Sequence, residues 1–147
     1  MRVPFINVNK FQFKIYKKGI FSNAGKVLGM QDIEIGHDLF DNEFIIKGND
    51  ELLLKKLFLN DDIRNLIERQ SRIKLEVKDN EGMLGSKFKD NESELSFVVT
   101  GVIKDIDRLK NLFQLFTKVL DKFEMNGITI NKAPEVKLYK EEYYNNK

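Results

Sequence analysis

The chain has no cysteine, which excludes a disulfide framework, a thiolate metal site and a cysteine nucleophile. It has a single histidine, His37, so a zinc site would have to be built almost entirely from carboxylates. No stretch approaches the roughly 18–20 apolar residues that span a bilayer, and Met1-Arg2-Val3-Pro4 does not begin the apolar run of a signal peptide. Charge of one sign is also missing. Twenty-five basic residues stand against 23 acidic ones, a net +2, so no long-range field draws the chain to nucleic acid or anionic lipid. These absences predict a cytoplasmic chain with no transmembrane segment, no nucleic-acid partner and no cofactor.

What is present is a strong helical pattern over 105–125. Ile106, Leu109, Leu112, Phe113, Phe116, Val119, Leu120 and Phe123 fall on one broad stripe at helical spacing, with charged and polar residues opposite. The spacing predicts a long helix docked on a core, with Phe116 central. Asn126-Gly127 supplies a left-handed cap, and Ile128-Thr129-Ile130 reads as a short edge strand after it.

Upstream the period is mostly two. Lys10–Lys17 alternates through Phe11, Phe13 and Ile15, Gln31–Gly36 through Ile33 and Ile35, and Glu43–Lys47 through Phe44 and Ile46. Phe40 should anchor the turn between the last two. The glycine-bearing, apolar segment 18–29 reads as a long loop over a core edge. After Gly48 the pattern changes: Asn49 or Asp50 caps a helix to about Leu59, and Asn60-Asp61-Asp62 caps a second to about Arg69. Arg72–Lys78 gives the clearest strand, with Ile73, Leu75 and Val77 inward and Lys74, Glu76 and Lys78 outward. A hairpin at 79–82, a weak strand near 83–88 and a strand over 94–103 lead into the long helix. Phe44-Ile45-Ile46-Lys47-Gly48 echoes Phe97-Val98-Val99-Thr100-Gly101, and each run precedes a helix.

Chemistry-bearing patterns fail their context. Gly25-Lys26 lacks the first glycine and the hydroxyl residue of a phosphate loop, and Gly82-Met83-Leu84-Gly85 does not join two helices. His37, among Asp32, Glu34, Asp38, Asp41 and Glu43, falls in a turn where polar residues are expected. Lys10, Lys14, Lys17, Lys18 and Lys26 interleave with Phe11, Phe13, Tyr16 and Phe21, but strand alternation sends phenylalanines and lysines to opposite faces. The order of elements is similar to helix-grip lipid-binding folds, with fewer strands between the helices. On that reading Phe97, Phe113, Phe116 and Leu120 would line an apolar pocket.

The run Phe40-Asp41-x-x-Phe44-Ile45-Ile46-Lys47-Gly48-Asn49-Asp50, with Gly101-Val102-Ile103-Lys104-Asp105, Leu109 and Leu112-Phe113 downstream, resembles an uncharacterised bacterial domain family. The resemblance covers about 31–123 and implies a bacterial origin and an α+β fold, with no catalytic residues.

The sequence therefore predicts a single α+β domain over 1–139 and a frayed tail over 140–147. Its antiparallel sheet of five or six strands would be covered on one face by the long helix and two shorter ones. The missing constellations favour a non-enzymatic interaction or regulatory domain with a protein partner, leaving self-association open. A binding module for an apolar ligand or membrane surface is the alternative.

Overall fold

A computed structural model describes residues 1–19, 30–79, 91–99 and 101–130. Most of the expected loop over 18–29, the strand near 83–88 and the tail over 140–147 lie outside the described residues.

Among these residues six strands, β1 (Arg2–Ile6), β2 (Phe13–Lys17), β3 (Gln31–Ile33), β4 (Phe44–Gly48), β5 (Lys74–Asp79) and β6 (Glu92–Phe97), form one sheet in the order β1-β6-β5-β2-β4-β3. Every neighbouring pair is antiparallel. Register sets the faces: Ile15 lies opposite Leu75 and Ile46, and Leu95 opposite Val77 and Val3, so one face is continuously apolar. Among the described residues four helices complete the α+β fold: α1 (Asp38–Glu43), α2 (Glu51–Phe58), α3 (Asp61–Glu68) and α4 (Ile106–Met125).

Short polar side chains start each long helix where the sequence places them. Asp50 accepts the Leu53 N–H at 2.9 Å, Asn60 that of Ile63 at 3.1 Å and Asp105 that of Arg108 at 3.0 Å. The break at Leu59-Asn60 makes α2 and α3 separate helices, since Asn60 is extended and caps the second. Gly48 lets α2 close on the sheet: a methyl there would run into Leu54 Cδ1 and come within 2.9 Å of the Gln12 carbonyl oxygen.

Phenylalanines join the layers. Phe123 of α4 packs on Phe5 at 5.2 Å and edge-on to Phe11 at 5.7 Å, and Phe13 meets Phe58 of α2 at 5.5 Å. Phe40 of α1 stacks on Phe44 at 4.6 Å. Buried Asn7 holds the β1–β2 connection, taking the Phe11 N–H and giving hydrogen bonds to the Phe11 carbonyl and Ser93 Oγ.

Several expectations change. Residues 2–6 are a strand, and 38–43 a short helix around Phe40 rather than a plain turn. The strand expected over 94–103 ends at Phe97. Residues 128–130 form no strand; Ile128 N–H bonds back to Phe123 while its carbonyl receives Val8 N–H, so the segment closes the helix end onto the β1–β2 connection. The stripe on α4 is also rotated. Leu112, Leu115, Phe116, Val119 and Phe123 are buried, whereas Phe113 is 54% and Ile106 70% exposed.

The sequence echo has a counterpart in topology. β4 and β6 flank the central β2–β5 pair on either side, and each leads to a helix capped by an aspartate, Asp50 or Asp105.

Candidate functional site

The sheet face away from the helices carries charge in rows. Alternation along the strands puts Arg2, Glu94, Ser96, Lys74, Glu76, Lys78, Lys14, Tyr16 and Lys47 on it. Glu76 stands near its middle and is 5% exposed. Lys74 Nζ lies 3.0 Å and Lys78 Nζ 3.3 Å from its Oε1, and Lys14 Nζ lies 3.9 Å from its Oε2. The contacts at Oε1 are pairings of charge without hydrogen-bond alignment, for this buried oxygen makes no directed hydrogen bond. Three ammonium groups thus converge on one carboxylate.

The neighbours do not balance this excess at Lys14. Lys47 lies directly opposite it on β4, and like charges in that position repel. Lys47 is itself held 3.0 Å from Asp32, which keeps its ammonium charged and raises its pKa. Lys14 responds in the other direction: burial, then repulsion from Lys74, pulls its pKa down, against the attraction of Glu76. Farther along the face, Arg2 pairs with Glu94 at 3.3 Å, yet burial dominates and pushes the Glu94 carboxyl up.

A cavity of 330 Å³ opens over this cluster, lined by Gln12, Lys14, Met30, Lys74, Glu76, Lys78 and Asp79 among others. Asp79 is engaged at its end, accepting from Gln12 Nε2 and Ser93 Oγ. A broader concavity of 770 Å³ lies at the β3 edge, but there the charges are matched: Lys47 with Asp32, Lys55 with Glu51 at 2.7 Å, and Lys18 Nζ on the Asp41 carbonyl at 2.8 Å.

The acidic cluster around His37 closes a turn. The Asp41 carboxylate accepts the N–H groups of Ile35, Gly36 and His37, and His37 Nδ1 accepts that of Phe40 at 3.3 Å. Among the described residues no group of three histidine or acidic side chains is placed to hold a metal ion. Nor is any helix among them long and apolar enough to cross a membrane.

The chain matches no family model, no curated protein and no solved structure.

Of the four residues expected to line an apolar pocket, Phe97 and Phe116 are closed into the core and Leu120 packs partly against it. Phe113 turns outward with Ile106 and Leu109, at i, i+3 and i+7 on one flank of α4. The opposite flank faces α3: Lys118 Nζ reaches Asp62 at 2.8 Å, and Arg108 Nε reaches Gln70, just past α3, at 3.1 Å. Sequence alternation found the charged sheet face, and placed Lys74 and Glu76 on it. It could not find the convergence, because Lys14 meets Glu76 only through the β2–β5 pairing across more than 60 residues.

Proposed function

We propose that the chain is a non-enzymatic interaction domain that receives an apolar helix of a partner protein along the free flank of α4. The observation that carries this is the exposure of Ile106, Leu109 and Phe113 on a helix whose other flank is packed. Both sheet edges favour side-chain docking over strand addition. β3 is three residues long and carries Asp32, while β1 carries Pro4. Asn7 N–H and the Phe97–Met1 bonds turn odd-numbered residues of β1 toward β6, so Pro4 sits in the row facing outward, where it offers no N–H.

The apolar-ligand alternative has less support, because Phe97 and Phe116 are buried in the core while Phe113 points away from them. A photo-cross-linking residue in place of Phe113, introduced in cells of the source, tests the reading. Adduct with a second protein is expected there and not at Gln114 on the polar side, and Phe113→Ser should abolish the complex while leaving the thermal midpoint nearly unchanged. Adduct of twice the subunit mass, or equal adduct at both positions, would overturn it.

A further inference from the structure

We infer that the face of the sheet away from the described helices holds a binding site for a phosphate-type oxyanion, seated against Lys14, Lys74 and Lys78 in the cavity over Glu76. The inference is independent of the flank of α4, which lies on the other side of the sheet.

The geometry of the lysines carries it. Their side chains are 12%, 23% and 31% exposed, so none has the freedom of an ordinary surface lysine. All three approach one carboxylate from two adjacent strands, which holds their ammonium groups close together. Lys14 is the least satisfied. Its acidic partner Glu76 stands at 3.9 Å, the Tyr16 ring lies 5.9 Å from its Nζ, and Lys47 opposes it across the strand pair. Among the described residues its ammonium makes no hydrogen bond, and it lines the cavity. The lowered pKa of Lys14 expresses the same deficit.

Charge around the cavity sums in favour of an anion. Among the described residues that line it, Lys14, Lys74 and Lys78 face Glu76 and Asp79, a balance of +1, and the Asp79 carboxylate is already occupied by Gln12 and Ser93. Glu76 then acts as a buried anchor: it holds the three ammonium groups in place from below and leaves the outer protons of Lys14 and Lys74 for a ligand above. Lysine is well suited to this, as a compact charge that can bind one phosphate oxygen without a fixed fork. Gln12, at the rim, adds an amide, and Met30 an apolar wall. The volume of 330 Å³ is at the lower end of small-molecule sites and accommodates a phosphate with a small organic body. The same phosphate chemistry could arrive free or as a lipid headgroup.

The full chain would be titrated with inorganic phosphate at constant ionic strength against chloride, following backbone amide shifts by NMR. Saturable shifts at residues 14, 74, 76 and 78 are expected. Lys14→Gln should weaken binding about tenfold or more, consistent with the loss of one charge-assisted contact. Lys14→Arg should retain it, and Lys110→Gln, on the exposed side of α4, should leave it unchanged. Glu76→Gln should tighten it, an outcome that a purely structural lysine cluster would not give. In a second arm, phosphatidylcholine vesicles with and without phosphatidic acid would be tested by co-sedimentation. Binding only to the phosphatidic acid vesicles, lost in Lys14→Gln, would assign the site to a headgroup; binding of free phosphate without vesicle association would assign it to a soluble ligand. No saturable binding in either arm, or binding indifferent to both Lys14→Gln and Glu76→Gln in folded protein, would overturn the inference.

Discussion

Glu94 shows how single side chains on the sheet face away from the described helices are set against their own solvation. It is 4% exposed and makes one described ion pair, with Arg2, and burial outweighs that pair to raise its pKa. A carboxyl raised in the folded state stabilises the fold fully below its ordinary value near 4.5, and that stability is lost as pH rises through the higher folded value. Glu94→Gln, which stays neutral, should therefore raise the thermal midpoint at pH 7 and converge on the parent protein below about pH 4. A lower midpoint at pH 7 would show that the Arg2 pair outweighs the burial. Alternation along residues 94–97 did reveal which face Glu94 occupies. It carried no sign of the burial, which arises from neighbours brought in by pairing with β1 and β5.

At the scale of elements, local chemistry was legible and long-range rotation was not. Caps at Asp50, Asn60 and Asp105 stand where short polar residues interrupt apolar runs, because a cap is a contact over three residues. The face that α4 buries depends on α3 instead. Arg108 and Lys118 tie one flank to α3, bringing Leu115 inward and turning Phe113 out, a shift of roughly 50° from the stripe read from spacing. Phe116 remains buried under either rotation. Phe116→Ala should cost about 3–5 kcal/mol in denaturant titration through the cavity it leaves, whereas Phe113→Ala should cost under about 1 kcal/mol. Equal costs would mean that both sides of the helix are packed. β1 was missed because Arg2-Val3-Pro4-Phe5-Ile6 contains a proline, which argues against a central strand and is tolerated on the edge that β1 occupies.

For the whole molecule, the sheet separates two kinds of surface. One face is an aromatic core sealed by helices, and the other a charged field that includes the lysine cluster. The apolar flank of α4 and the charged face thus lie on opposite sides of the sheet, and the two proposed contacts do not compete for one surface. The missing N–H at Pro4 bears on the solution state of the molecule, because it interrupts the row of donors along the edge of β1 that no described strand pairs with. Pro4→Val would restore that donor and should produce concentration-dependent association in light scattering, while the parent protein shows none through this edge. Association of both proteins to the same extent would remove this role for the proline.

The pairing of β1 with β6 also orders events in time. β1 finds its partner in β6, so its hydrogen bonds wait until Glu92–Phe97 has been made. Closure over that separation is slow compared with the pairing of β2 with β4. β1 therefore docks later than β2 and β4 pair, and the interval in which it stands unpaired is one more period in which a proline hinders the nascent chain from joining another.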